Sequence, residues 1–299
     1  MSAPRRQKAV IILRSFPRIK PHGITGLRSL IQKSCDGLAS ALFPTGCPLC
    51  QREVPWSKGM GICRDCANAI KPWEGPSCAV CGLPFASNLM ISGNLCALCR
   101  RNTYSFDLAR SYGIYTHPLR DLILHLKFRR RERWGYQLGR YLASLATALE
   151  IVNHSPLIVP VPLHRSRERE RGYNQAELLA QGLRLELKIS MGSIAPRLTT
   201  RILTRRRPTL PQSGLHPDAR RENVRGVFTV ERPERIRGHS VLLVDDVMTT
   251  GATVSACAAA LKQAGAQEVA VLTLARATPQ FPDIHSFPPA VDDLHGART

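Results

Sequence analysis

Apolar and polar positions follow two different periods along residues 102–276. Short apolar runs with the length of strands occur at residues 108–115, 157–161, 241–244 and 269–274. Stretches with helical spacing or an alanine-rich composition lie between them, at residues 119–127, 136–151, 174–187 and 251–264. Apolar strands that alternate with helices predict an α/β domain whose parallel sheet is covered on both faces.

Residues 35–101 lack this pattern and contain most of the cysteines. Eight of the ten cysteines form four Cys-x-x-Cys pairs, which are Cys47 and Cys50, Cys63 and Cys66, Cys78 and Cys81, and Cys96 and Cys99. Two intervening residues let both thiolates of a tight turn reach one ion, and two such turns complete the four-thiolate shell of structural zinc. The simplest pairing puts the first two pairs on one zinc ion and the last two on another, and an interleaved pairing stays open.

Two other uses of these cysteines are less compatible with the sequence. A disulfide-rich secreted module needs an export signal, and the apolar stretch at residues 9–13 is too short for one. An iron–sulfur cluster also takes four cysteines, but the paired spacing fits zinc ribbons better. Because four thiolates leave no open coordination position, we expect both zinc ions to be structural. Cys35 and Cys257 have no such partner and are expected to be ordinary small residues.

The composition is strongly basic, with 42 Lys and Arg against 22 Asp and Glu and a formal net charge of +20. Such a charge attracts nucleic acid or phosphorylated small molecules, or it is only a basic surface. No apolar run approaches the roughly 20 residues of a membrane span. Residues 1–34 are expected to be a disordered basic extension, although a transit peptide or a misassigned start stays open, and residues 277–299 are expected to be a tail.

The segment at residues 241–253 carries the most chemistry. A buried strand is predicted to end in Asp245 and Asp246, and a loop containing Thr249, Thr250, Gly251 and Thr253 leads into a helix. The start of a helix offers free amides and a positive dipole end, which bind phosphate, and paired carboxylates accept hydrogen bonds from vicinal hydroxyls. The alternative is a turn in which Asp and Thr only cap the helix. Two acids, three threonines and a glycine exceed what a cap requires, so we predict a sugar-phosphate site.

Several segments of the sequence resemble one known family. Residues 245–253 resemble the phosphoribosyl-pyrophosphate (PRPP) loop of type I phosphoribosyltransferases. Residues 159–164 and the Arg-Gly-Tyr-Asn-Gln stretch at 171–175 are similar to the signature of the ComF family, as are residues 122–128 and 209–228. The resemblance covers roughly residues 40–276. It implies a type I phosphoribosyltransferase fold at residues 102–276 preceded by a zinc-ribbon module at residues 35–101.

The resemblance also implies the parts of the site. Asp245 and Asp246 would hold the ribose hydroxyls, and the 5′-phosphate would lie on Thr249, Thr250, Gly251 and Thr253, with Val247, Met248 and Ala252 completing the loop. The pyrophosphate, with magnesium, would face the turn formed by Pro162, Leu163, His164 and Arg165. Lys127 and Arg171 are candidates to neutralise its charge, although residues 165–171 also have the alternating charges of a solvated surface.

Residues 204–224 are polar and show no regular period. A long irregular segment inside a compact domain is unusual unless it is functional, so we predict a mobile flap that closes over PRPP and excludes water. Its residues that match the family are Thr209, Gln212, Arg220, Arg221 and Asn223.

Two functions are compatible with these features. The first is an enzyme that transfers phosphoribosyl from PRPP to a nucleophile and releases pyrophosphate. The second is a non-catalytic protein that retains the PRPP pocket and binds single-stranded DNA or DNA-uptake proteins, because the ComF family is associated with natural competence. That association also implies that the protein is cytoplasmic. The basic clusters at residues 127–133 and 201–207 could bind a nucleic-acid backbone or be surface charge. Tyr173 is expected to pack in the fold rather than stack on a base.

Overall fold

The computed structural model describes residues 45–54, 60–85, 94–154, 156–207 and 226–278. The strands are β1 Thr45–Gly46, β2 Glu53–Val54, β3 Leu108–Ile114, β4 Leu157–Pro160, β5 Arg197–Leu198, β6 Leu203–Arg205, β7 Phe228–Val230, β8 Ser240–Met248 and β9 Glu268–Arg276. The helices are α1 Arg64–Ala69, α2 Ala97–Arg100, α3 Leu119–Phe128, α4 Glu132–Thr147, α5 Arg165–Arg171, α6 Gln175–Met191 and α7 Ala252–Gln263. No helix of these residues has the length and apolarity needed to cross a bilayer.

A five-stranded parallel sheet forms the centre of the fold, in the order β3-β9-β8-β4-β5. β8 lies between β9 and β4, and Val244 is in register with Leu272 on one side and Pro160 on the other. The four predicted strands are present and the sheet is parallel, which confirms the predicted fold class. Because the strands are parallel, the segments that follow β4 and β8 leave the sheet at the same edge.

The two faces of the sheet support separate cores. On β8, Leu242 and Val244 pack with α3, α4 and α6, whereas Val241 and Leu243 pack with α7 and the hairpin of β6 and β7. Helices α4 and α6 approach closely because glycines lie at their contact. A Cβ at Gly139 would lie 2.2 Å from the Leu179 carbonyl oxygen.

Local differences from the predicted elements have structural reasons. β8 continues past the predicted end at residue 244 to Met248, because β9 is long enough to pair with it at Val247 and Met248. Helix α4 begins at Glu132 and ends at Thr147, and a separate 3-10 turn spans Glu150–His154. The sequence did not predict the short edge strand β5, the β6–β7 hairpin or helix α5, since each is shorter than the stretch over which a period is recognisable.

The cysteine-rich module packs against both faces of the domain. Its first half, with Cys47, Cys63 and Cys66, belongs to the core on the α3 side. Its second half, with Cys78, Cys81, Cys96 and Cys99, belongs to the core on the α7 side. There, the Ala109 amide on edge strand β3 donates to the Val80 carbonyl oxygen at 2.8 Å, so this half is hydrogen-bonded to the sheet.

Candidate functional site

The eight paired cysteines form two tetrads. The sulfur atoms of Cys47, Cys50, Cys63 and Cys66 lie within 4.8 Å of one another, and so do those of Cys78, Cys81, Cys96 and Cys99. This is the simplest pairing predicted from the sequence. Backbone amides point at the sulfur atoms, with the Cys63 amide 3.4 Å from Cys47 Sγ and the Cys96 amide 3.3 Å from Cys78 Sγ. Each tetrad therefore offers four thiol ligands to one ion, as a structural zinc site requires.

The ninth described cysteine has a different environment. Cys257 on α7 is fully buried in the core. Burial raises its pKa well above the ordinary value, so the thiol is neutral and unreactive. This agrees with its expected role as a small core residue, whereas Cys35 lies outside the described residues.

Asp246 lies at the centre of the acidic end of β8. Lys127 Nζ, from the last turn of α3, is 2.9 Å from Asp246 Oδ1. Gln175 Nε2, from the first turn of α6, donates to Asp246 Oδ2 at 3.2 Å. Three segments that are far apart in the sequence therefore meet at one buried carboxylate.

The surroundings at this end of β8 shift the pKa values of Asp245 and Lys127. Removal from water, followed by the charge of Asp246, raises the pKa of Asp245 to about 7. Desolvation is the largest influence on the pKa of Lys127 and lowers it. The charge and hydrogen bond of Asp246, with smaller contributions from Tyr115 and Asp245, reverse this effect, so the net shift is upward and Lys127 stays charged. The site thus holds one firm ion pair beside a carboxyl that titrates near neutral pH.

Residues 249–253, called the phosphate loop below, connect β8 to α7. Gly251 precedes the helix with a φ of 78°, in the left-handed region that glycine occupies without strain. A Cβ at this position would lie 2.8 Å from Met248 Cε and 2.9 Å from the Tyr104 ring. The turn before α7 therefore accommodates only glycine without a clash. The free amides at the start of α7 follow this turn directly, which is the geometry of an anion site.

The turn after β4 reaches the same edge of the sheet. The Val161 amide donates to the Val244 carbonyl oxygen at 2.9 Å, and Asn174 Nδ2 donates to the Val161 carbonyl oxygen at 3.0 Å. Pro162, Leu163 and His164 are half-buried and Arg165 is exposed. Helix α5 then begins at Arg165, and His164 Nδ1 caps it by accepting from the Ser166 amide.

The two basic residues predicted for the pyrophosphate side have different partners in the structure. Lys127 lies with the acids of β8, as described above. Arg171 lies over the Phe128 ring, with its guanidinium carbon 5.4 Å from the ring centroid. Their roles towards pyrophosphate stay predictions. Tyr173 packs as expected, because its hydroxyl donates to the Leu126 carbonyl oxygen.

Two site residues were not singled out from the sequence. Gln175 is the last residue of the family-like stretch at 171–175, and only the fold shows that its side chain reaches Asp246. Tyr104 donates to the Thr250 carbonyl oxygen at 2.9 Å across a separation of 146 residues, and no sequence pattern connects the two. The flap residues Thr209, Gln212, Arg220, Arg221 and Asn223 lie outside the described residues.

Comparisons with known proteins agree with this architecture. A family model described as a double zinc ribbon domain matches residues 38–101, and one described as a phosphoribosyl transferase domain matches residues 192–285. The fold and site therefore define a phosphoribosyltransferase-type domain joined to a double zinc ribbon.

Curated relatives share most of the chain. Competence protein F of Haemophilus influenzae is 34% identical over 243 residues, which cover 79% of this chain and 98% of that protein. The DNA utilization protein YhgH of Escherichia coli K12 is 33% identical over 240 residues, 78% of this chain and 97% of that protein. Competence protein ComFC of Bacillus subtilis is 27% identical over 221 residues, 72% of this chain and 84% of that protein. The chain belongs to the ComF family.

Proposed function

We propose that the chain binds PRPP with magnesium at the end of β8 and transfers its phosphoribosyl group to a nucleophile, in the cytoplasm and in a process that uses imported DNA. The observation that carries the proposal is the arrangement around Asp246. Gln175 bonds to Asp246 through its Nε2, while its Oε1 is buried without a hydrogen-bond partner among the described residues. A buried acceptor left open beside a carboxylate fits a hydroxyl-bearing ligand, because an unmade hydrogen bond there costs free energy.

Each group of the proposed ligand has protein groups suited to it. Asp246 and the ionised form of Asp245 accept from the ribose hydroxyls, with Gln175 Oε1 as a further acceptor. The phosphate loop and the first amides of α7 receive the 5′-phosphate. The turn at residues 162–165 lies at the same edge for the pyrophosphate. Magnesium would neutralise pyrophosphate charge, held mainly by the ligand's own oxygens and water.

The proposed reaction is a displacement at C1′ of the ribose. The nucleophile forms a bond to C1′, the bond from C1′ to the pyrophosphate oxygen breaks, and pyrophosphate leaves with the electron pair. The proton of the nucleophile passes to water. The protein contributes by holding the ribose and both phosphate groups in fixed positions and by stabilising charge on the leaving group.

The test is calorimetric titration with PRPP and magnesium, followed by a search for pyrophosphate release with candidate nucleophiles. We expect Asp246→Asn to lose at least tenfold in PRPP affinity, because a neutral amide replaces a carboxylate that accepts charge-assisted bonds. Asp107→Asn is the matched control, since Asp107 also pairs with a lysine, Lys262, but lies immediately before β3. Equal affinity in the Asp246 variant and the wild type contradicts the proposal.

The same titration at several pH values tests Asp245 separately. Its carboxyl keeps its proton below its pKa of about 7 and is ionised above it. Only the ionised form accepts with both oxygens, so PRPP affinity should rise between about pH 6 and about pH 8 by more than the ligand's own titration explains. Asp245→Asn has no such proton and should lack this additional rise. Identical pH profiles for the two chains rule out this role of Asp245.

A second candidate function, binding of single-stranded DNA, rests on the surface that follows Lys127. Phe128 is 64% exposed, and Arg129, Arg130, Arg131 and Arg133 beside it are exposed as well. An exposed ring among cations is suited to a base stacked over a neutralised backbone. Two of the relatives are named as competence proteins and one as a DNA utilization protein.

Fluorescence anisotropy with a labelled oligonucleotide tests this candidate. Affinity should fall steeply with salt, and Phe128→Ala should weaken binding by about fivefold or more through lost stacking. Ile189→Ala is the control, because Ile189 is equally exposed, at 66%, on helix α6. Salt-independent binding, or equal losses in both variants, excludes this surface.

A further inference from the structure

The second cysteine tetrad is connected to the phosphate loop by Tyr104. This residue follows Cys99, the last ligand of the tetrad, by five positions. Its hydroxyl donates to the Thr250 carbonyl oxygen at 2.9 Å, and its ring contacts the position of Gly251. The next residue, Ser105, donates through its amide to Ser255 Oγ on α7 at 3.1 Å. The segment after the tetrad therefore contacts both the loop and the helix that follows it.

Arg276, the last residue of β9, also interacts with Tyr104. It is only 2% exposed, and its Nε and Nη1 have no hydrogen-bond partner among the described residues. Burial raises the pKa of Tyr104 to about 12, and Arg276 opposes this shift through its charge and a side-chain hydrogen bond. The charge of Arg276 also acts on Cys81 of the tetrad. The guanidinium thus lies within electrostatic reach of both the phenol and the tetrad.

A zinc-bound second tetrad would supply the counter-charge that a buried arginine needs. Four thiolates around Zn²⁺ carry a net charge of about −2, and a buried cation needs such a counter-charge. Arg276 is in register with Met248, the last residue of β8, so it is fixed by the sheet at the level where the phosphate loop begins.

We propose that Tyr104 is a positioning residue of the phosphate loop, held by Arg276 against the second tetrad, and that it orients the peptide between Thr250 and Gly251 for the phosphate. This rests on the proposed function. The carbonyl and the amide of a trans peptide unit point in opposite directions. By binding the Thr250 carbonyl, Tyr104 directs the Gly251 amide away from itself and keeps the carbonyl dipole from facing an anion. The second zinc site then supports the binding site as well as its own ribbon.

The test compares Tyr104→Phe with Tyr112→Phe. Both tyrosines are largely buried, and burial raises the pKa of each to about 12, so both variants remove one hydroxyl from a similar environment. We expect Tyr104→Phe to weaken binding of ribose 5-phosphate by about three- to tenfold, the value of one hydrogen bond, and to leave pyrophosphate binding unchanged. Tyr112→Phe should change neither. A purely structural effect would weaken both ligands together, and that result overturns the proposal.

A ligand-free measurement separates this inference from the proposed function. Hydrogen exchange of peptides covering residues 248–254 should become faster in Tyr104→Phe and stay unchanged in Tyr112→Phe. If exchange there does not change, Tyr104 does not position the loop, whatever the protein binds. If exchange changes but the wild type binds neither PRPP nor ribose 5-phosphate, the function fails and with it the role assigned to the loop.

A double-mutant cycle tests the part of Arg276. If Arg276 acts through Tyr104, the losses of ribose 5-phosphate affinity in Arg276→Met and Tyr104→Phe should not add in the double variant. Fully additive losses remove Arg276 from the proposal. If Arg276→Met does not fold, Arg276→Lys keeps a charge at the same place and the same cycle is measured with it.

Discussion

The two cysteine tetrads have the same ligands and nearly the same spacing, yet their surroundings differ. In the first tetrad Cys50 is exposed, and the adjacent Arg52 pairs with Asp65 at the surface, where both side chains are about two-thirds exposed. In the second tetrad all four cysteines are buried. Two arginines from the sheet, Arg110 on β3 and Arg276 on β9, lie near it.

Two sites with identical metal ligands can therefore have different structural roles. The first tetrad closes a small ribbon that packs on the α3 side through apolar contacts. The second is part of the phosphoribosyltransferase-type core, because its backbone bonds to β3 and the segment after it bonds to the phosphate loop. Three pairs of matched variants test this difference between the two tetrads.

The largest difference is expected between Cys99→Ser and Cys66→Ser. Both residues lie in a short helix at the end of their tetrad and are 7% exposed. Each variant should lose one zinc ion per chain. Cys99→Ser should lower the unfolding midpoint of the whole domain further than Cys66→Ser does, by roughly 10 °C for an additional loss of roughly 4 kcal/mol, since the β3 backbone bonds directly to Val80 between the ligands of the second tetrad. Calorimetry with metal analysis measures both, and equal midpoints would show that the ribbons are energetically equivalent.

A smaller difference is expected between Arg110→Met and Arg52→Met. Arg110 donates to the carbonyl oxygens of Ala109 at 2.7 Å and Ala79 at 2.9 Å, and it approaches that of Val80 at 3.3 Å. Leaving the carbonyl oxygens of Ala109 and Ala79 without this donor should reduce the free energy of unfolding by roughly 2–4 kcal/mol. Arg52 is solvated, so its variant should be indistinguishable from the wild type in a denaturant titration. A destabilised Arg52 variant would contradict the contrast.

The smallest difference is expected between Gly82→Ala and Gly61→Ala. Both glycines have positive φ, 62° and 67°, so both variants carry the strain of a left-handed residue, about 1–2 kcal/mol. At Gly82 the new Cβ would also lie 2.8 Å from the Ala109 carbonyl oxygen, whereas nothing lies within 4 Å of it at Gly61. Gly82→Ala should therefore be less stable by a further 1 kcal/mol or so, from the same contact that joins ribbon and sheet. Equal losses would mean that this contact relaxes freely.

The sequence alone was enough to predict the α/β class, the grouping of the cysteines, and the Asp245–Asp246 pair at the end of a strand that leads into a helix. These follow from local spacing, because two-residue gaps bring thiolates together and apolar periods identify strands and helices. The longer β8, the weak edge strand β5 and helix α5 were not predictable, since strand length depends on the partner strand and short helices have no period.

The residues that complete the site come from distant parts of the sequence, and only the tertiary structure identifies them. It placed Lys127 on Asp246 and brought Gln175 to the same carboxylate. It also placed Tyr104 on Thr250 and Arg276 beside the second tetrad. The physical reason is that these contacts depend on the order of strands in the sheet and on how the module docks against it, which no local pattern of residues encodes.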